Sequence, residues 1–109
     1  MGHYTGVIIT KEKPNENKII EIMDPYYLSG DCEFQELCWD YYDILEIKPV
    51  CEHDLREAYA IITKYGSAVA KQRWNGECFV NQQAEMEEQI AEILNDPECR
   101  WMTIIDYHD

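Results

Sequence analysis

Two apolar runs near the ends of the chain most constrain the fold. Tyr4–Thr10 reads YTGVIIT and Trp101–Tyr107 reads WMTIIDY. The apolar residues of the first run do not alternate with polar ones, which indicates a strand buried on both faces. The second run also has strand composition. We therefore predict that the two strands lie close together at the centre of one sheet.

Helical spacing of apolar residues dominates the sequence between these strands. Asp24-Pro25 ends the first predicted helix, Asp54 begins another with a capping-box pattern, and Asn81 caps the last. Asn75-Gly76 suits a two-residue type I′ turn, which predicts a β-hairpin. The predicted helices span Asn15–Met23, Glu33–Leu45, Asp54–Tyr65 and Gln82–Leu94, and the hairpin strands are Ser67–Trp74 and Glu77–Val80. An extended conformation is an alternative for Tyr42–Ile47.

A chain of 109 residues is the usual size of one domain, so residues 1–109 are predicted to form a single domain. The element order predicts an α+β fold, with a small, mainly antiparallel sheet of about four strands packed against three or four helices. The predicted core residues are Val7, Ile9, Phe34, Leu37, Tyr41, Leu55, Ile62, Ile90, Leu94 and Ile104.

Charge restricts the classes of partner. The 22 acidic and 9 basic residues give a net charge of -13, which repels nucleic acid and anionic membranes and attracts basic protein surfaces. Solubility alone is the alternative explanation. The five cysteines have no framework spacing, and the chain shows neither a signal peptide nor a membrane-length apolar run. These features predict a cytoplasmic protein with reduced thiols.

Catalytic and metal-binding motifs are missing from the sequence. It has no glycine-rich phosphate loop, nucleophile elbow or His-Glu-x-x-His pattern. We therefore predict no catalytic residue, no metal ligand and no cofactor. The alternative is a small enzyme or metal protein that uses His3, Asp106 and His108, provided that adjacent terminal strands bring them together.

The predicted binding residues are acidic and aromatic. On a helix over 33–45, Glu33, Glu36, Asp40 and Asp43 would form one row of carboxylates about 5 Å apart along the axis. That spacing is comparable to the axial rise of about 3.4 Å per phosphate on one DNA strand. Trp39 and Tyr42 flank this row as candidate interface anchors. Glu85, Glu88 and Glu92 form a second row on the last helix.

The two ends resemble those of small uncharacterised bacteriophage proteins. Such proteins open with a Gly/Ser-His-Phe-Thr strand and close with a Thr-Val-Val-Asp-x-His strand. Here the matching segments are Gly2-His3-Tyr4-Thr5 and Thr103-Ile104-Ile105-Asp106-Tyr107-His108. Tyr4 replaces the Phe, and Asp109 follows the final His. The resemblance implies a phage origin and brings no known activity or functional residue.

Together these features predict a phage-encoded, stoichiometric inhibitor of a nucleic-acid-binding host-defence complex, of the anti-CRISPR type. Its acidic rows would occupy a basic channel as a DNA mimic. The expected partner is a basic protein surface, with no direct binding of nucleic acid or membrane. An immunity protein or antitoxin for a basic nuclease would use the same surface, so the sequence leaves both open.

Overall fold

The structure is a computed structural model that describes residues 3–24, 39–63, 68–74 and 76–108. These residues form a mixed sheet with helices on both faces and a separate small hairpin. In chain order the elements are β1 His3–Thr10, α1 Glu16–Met23, β2 Tyr41–Pro49, α2 Glu52–Glu57, β3 Ala60–Ile62, β4 Ala68–Ala70, β5 Gln72–Trp74, β6 Phe79–Asn81, α3 Gln83–Asn95 and β7 Trp101–His108.

The two terminal strands are neighbours inside the main sheet, as predicted. Its strand order is β2-β7-β1-β3-β4, and β1 and β7 pair antiparallel from His3 opposite His108 to Thr10 opposite Trp101. The β1–β3 pair is parallel, whereas the other pairs are antiparallel. The α+β class is therefore confirmed, but this sheet has five strands within the described ranges and is mixed.

Side chains of the central strands alternate between two apolar clusters. Val7 and Ile9 join the cluster formed with α2 and α3, whereas Ile8 joins the cluster formed with α1. Both clusters are fully buried at these positions, so β1 is covered on both faces. Gly6 allows close packing on the α1 side, because a Cβ there would lie 3.1 Å from atoms of Ile105 and Tyr107.

The predicted helix over 33–45 is wrong from Trp39 onward, while residues 33–38 lie outside the described ranges. Tyr41–Pro49 is strand β2, which pairs with the whole length of β7 and contains a bulge between Ile44 and Glu46. The alternative extended conformation for Tyr42–Ile47 is thus the observed one. Pairing with an apolar central strand outweighs the local helical spacing, which is a weak preference.

The predicted helix from Asp54 to Tyr65 is confirmed only as far as Glu57 and is wrong from there to Thr63, while residues 64 and 65 lie outside the described ranges. Helix α2 ends at Glu57, and Ala60–Ile62 forms the buried strand β3 beside β1. Asp54 is not the N-cap; its carboxylate accepts a hydrogen bond of 2.7 Å from Lys48 Nζ instead. Ala60, Ile61 and Ile62 are completely or nearly completely buried. Completing the sheet with these residues therefore gives more stability than extending an exposed helix would.

The hairpin exists but is shorter and has a different loop, because Ala68–Ala70 joins the main sheet and only Gln72–Trp74 pairs with Phe79–Asn81. Trp74 pairs with Phe79, so four residues separate the strands rather than two. Gly76 has a φ of 101°, as expected for a glycine in this turn. Helix α3 agrees closely with its prediction, and the Asn81 side chain accepts a hydrogen bond of 2.7 Å from the backbone N–H of Gln83.

Most of the predicted core that falls in the described ranges is buried. Tyr41 and Leu94 are the exceptions, with 48% and 42% exposure. Tyr41 is exposed because it belongs to a strand end rather than a helical stripe. Phe34 and Leu37 lie outside the described residues. The buried positions are Val7, Ile9, Leu55, Ile62 and Ile90, and Ile104 is partly buried.

Candidate functional site

One face of the sheet is covered by helices along only half of its length. Val7 and Ile9 of β1 and Met102 of β7 pack against α2 and α3. Alternation places His3 and Thr5 on this same face, beyond the helices. The covered half is apolar, and the open half carries polar side chains.

Six polar side chains gather at this open end, and we call them the His–Asp patch. They come from the start of β1, the end of β7 and the residues at the start of β2. The patch consists of His3, Asp40, Tyr41, Asp43, Asp106 and His108. Register sets its layout, because His108 lies opposite both His3 and Tyr41, and Asp106 lies opposite Asp43.

The patch contains two pairs of a carboxylate and an imidazole. His108 Nδ1 lies 2.8 Å from Asp40 Oδ1, and His3 Nδ1 lies 3.2 Å from Asp106 Oδ2. The Asp40–His108 pair is also held by the backbone, because the Asp40 N–H donates to the His108 carbonyl at 2.7 Å. Each imidazole therefore has a carboxylate at its Nδ1 atom.

Tyr41 connects the two pairs. Its ring stacks on His108, with the centroids 5.0 Å apart and the planes 17° from parallel. Its hydroxyl lies 3.5 Å from His3 Nε2. The two imidazole rings are themselves 5.0 Å apart. The side chains that the alternative enzyme hypothesis requires thus converge, together with Tyr41 and Asp40, which the sequence did not assign to that site.

Electrostatics make the patch a place where a cation is favoured. The hydrogen bond from His108 is the largest influence on Asp40 and lowers the pKa of this carboxyl below its usual 3.8. Asp43 and Asp106 face each other on adjacent strands. Directly opposed like charges destabilise a sheet. A positively charged group placed between them would remove that repulsion.

The predicted acidic row is divided by the strand. Asp40 and Asp43 belong to the patch, but Glu33 and Glu36 lie outside the described residues. Tyr42 points to the opposite face, where it packs against the α1 cluster. Burial is the main cause of the raised pKa of Tyr42.

Trp39 is not the exposed anchor that we predicted. Its indole Nε1–H donates to the Met23 carbonyl at 2.8 Å, and its ring meets Tyr42 edge-to-face at 4.7 Å. It packs against the α1 cluster and is partly buried. Trp39 therefore covers the end of α1 instead of projecting into solvent. Tyr41, rather than Trp39, is the exposed aromatic residue beside the carboxylates.

The second acidic row lies on α3, as predicted. Glu85, Glu88 and Glu92 are exposed on this helix. Their neighbour Glu87 instead accepts hydrogen bonds of 2.8 and 2.7 Å from Arg56. Helix α3 contacts α2 and β4, whereas the patch extends to β2 at the other edge of the sheet. The two sets of acids therefore form separate surfaces.

A basic cleft lies at the far end of β1. It has a volume of about 440 Å³, and its charged lining residues are Lys11, Glu12 and Lys13 before α1 and Lys18 within α1. Lys13 Nζ lies 5.8 Å from the centre of the Trp101 ring, and Lys11 Nζ is 4.0 Å from a Glu98 carboxylate. Lys18 Nζ lies 3.7 Å from a Glu21 carboxylate, so acidic neighbours offset part of the positive charge of this cleft.

Tyr41 is the patch residue that the sequence analysis assigned to the wrong environment. A helix over 33–45 would put Tyr41 in its buried stripe, away from His3 and His108. The available signal was the two-residue period of β2, in which Tyr41 and Asp43 are exposed and Tyr42 and Ile44 are partly buried.

No protein-family model, curated protein sequence or solved structure matches the chain. Within the described ranges, no three or more His, Cys, Asp and Glu residues are arranged to hold a metal ion. In the same ranges, no helix combines the length and the apolar character needed to cross a membrane. The patch is therefore interpreted from its own geometry.

Proposed function

We propose that the protein is a stoichiometric inhibitor that binds the basic surface of a nucleic-acid-binding host-defence complex, of the anti-CRISPR type. The observation that carries the proposal is the exposed Tyr41 ring beside Asp40 and Asp43, in a chain of net charge -13. An aromatic face next to carboxylates suits an arginine side chain, which stacks and forms ion pairs at once.

The partner's cationic groups, which otherwise bind nucleic acid, are the chemical complement of this surface. Complementary charge accelerates association, whereas a desolvated aromatic contact slows dissociation. In this mechanism Tyr41 takes the anchoring role that the sequence assigned to Trp39. The row of exposed acids on α3 lies away from the patch. Its charge adds to the long-range electrostatic attraction of a basic partner. The phage-like chain ends are consistent with a host-defence target.

A pull-down from bacterial lysate tests the proposal with two charge-matched variants. Asp43→Lys reverses a patch charge, and Glu57→Lys makes the same change in net charge at an exposed position of α2. We expect wild-type protein and Glu57→Lys to recover the same nucleic-acid-binding protein, and Asp43→Lys to recover much less. Nucleic acid added in excess should compete for that partner.

Kinetic measurements on the recovered complex separate the two contributions. Asp43→Lys and raised salt should mainly slow association. Tyr41→Ala should mainly accelerate dissociation and weaken binding by about 2 kcal/mol if Tyr41 is a hot spot. Equal recovery by wild type and Asp43→Lys would refute the proposal. Recovery of a dedicated nuclease toxin would instead favour the immunity-protein alternative.

A further inference from the structure

Three groups of the His–Asp patch form a line that partner binding does not require. Asp106 lies next to His3 Nδ1 at 3.2 Å, and His3 Nε2 lies 3.5 Å from the Tyr41 hydroxyl. In the tautomer with the proton on Nδ1, the Nε2 lone pair faces the hydroxyl. A carboxylate, an imidazole and a hydroxyl in this order are the arrangement of an activated nucleophile, and the last distance is often loose without substrate.

Structural need does not explain this arrangement. The side chain of His3 is 55% exposed and Tyr41 is 48% exposed, so water is available to hydrogen-bond both groups. The register also places Asp43 directly opposite Asp106, which works against stability. Residues that break a local stability rule without an evident structural gain mark a functional site.

The second imidazole orients the nucleophile. His108 is fixed by its contact with Asp40 and by its stacking on Tyr41. This stacking holds the Tyr41 ring, and with it the hydroxyl that lies beside His3. The three carboxylates of the patch select a substrate that carries positive charge.

We propose that Tyr41 is a nucleophile that accepts an acyl group from a positively charged ester. Tyr41 Oη attacks the carbonyl carbon while its proton passes to His3 Nε2. The bond between the carbonyl carbon and the leaving oxygen then breaks, and His3 returns the proton to that oxygen. The products are an O-acyl tyrosine and an alcohol. Asp106 acts as a positioning residue, because it holds the His3 ring and touches no reacting atom.

The test uses the full chain and two p-nitrophenyl esters, one with a trimethylammonium group on its acyl part and one neutral. We expect a stoichiometric burst of nitrophenolate and an acyl group on the Tyr41 peptide, found by mass spectrometry. The cationic ester should react about tenfold faster than the neutral one, and salt should reduce this ratio.

Four variants assign the roles. Tyr41→Phe keeps the ring but removes the nucleophile, so the burst and the label should disappear. His3→Ala should slow acylation about 100-fold, and added imidazole should restore part of the rate. Asp106→Asn should slow acylation, whereas Asp106→Glu should recover part of it. Tyr4→Phe is the control, because the Tyr4 ring packs at a tilt against Tyr59 and Tyr107 on the other face of the sheet.

The variants also separate this proposal from the binding function. Tyr41→Phe should still bind the basic partner through its ring but should not be acylated. A label on lysine or histidine instead of Tyr41 would overturn the proposal. Unchanged acylation in His3→Ala, with the fold verified by circular dichroism, would do the same.

Discussion

The covered and open halves of the sheet face are built from the same strands but follow different rules. In the covered half, Val7, Ile9 and Met102 are completely buried beneath α2 and α3. In the open half, His3 faces His108 and Asp43 faces Asp106, so like groups are opposed. The covered half is explained by stability, whereas the arrangement of the open half is better explained by function.

The largest expected effect on stability comes from comparing two positions on β1, one in the covered half and one in the open half. Ile9→Ala removes a fully buried side chain and should lower the free energy of unfolding by about 2–5 kcal/mol. His3→Ala, on the same strand and face, should change it by no more than about 0.5 kcal/mol. Urea unfolding of both variants measures the difference. Equal destabilisation would show that His3 is structural and would remove the contrast.

Trp39→Ala should have the next largest effect. Trp39 is partly buried, donates to the Met23 carbonyl and packs on Tyr42. Because burial is incomplete, we expect a loss of about 2 kcal/mol, less than for a completely buried Trp. Chemical unfolding measures this loss. If the variant unfolds like wild type but loses its partner, Trp39 is an anchor after all.

The sequence predicted the central strand and α3 of the covered half because burial leaves a periodic record, but it extended α2 over the buried strand β3. The apolar run at Val7–Ile9 located the central strand, and the stripe containing Met86 and Ile90 located α3. The open half was less predictable, since its residues come from three distant segments. The possible meeting of His3 and His108 followed from the pairing of the terminal strands. Tyr41 was missed because helical spacing and strand alternation compete over the same residues.

A smaller effect tests whether the opposed aspartates of the open half lower the free energy of unfolding. Asp43→Asn removes the charge opposite Asp106 and should raise the free energy of unfolding by about 0.2–1 kcal/mol. Glu46→Gln is the matched control, because Glu46 is on the same strand but lies opposite the uncharged Ile104. Similar gains in both variants would mean that only net charge matters. A loss of stability in Asp43→Asn would mean that no repulsion is stored there.

The smallest expected effect is the loss of stability at acid pH that comes from the Asp40–His108 pair. The hydrogen bond from His108 lowers the pKa of Asp40 below 3.8, so the folded state binds this proton less readily than the unfolded state. The resulting stabilisation is present above the pKa of Asp40 in the unfolded state and is lost as the pH falls through its pKa in the folded state.

NMR titration of the Asp40 carboxyl should give a pKa below 3.8, which should return towards that value in His108→Gln. The stability difference between wild type and Asp40→Asn should narrow as the pH falls below about 4. A normal Asp40 pKa in the wild-type protein would show that the pair does not form in solution, and the open half would lose one of its two carboxylate–imidazole contacts.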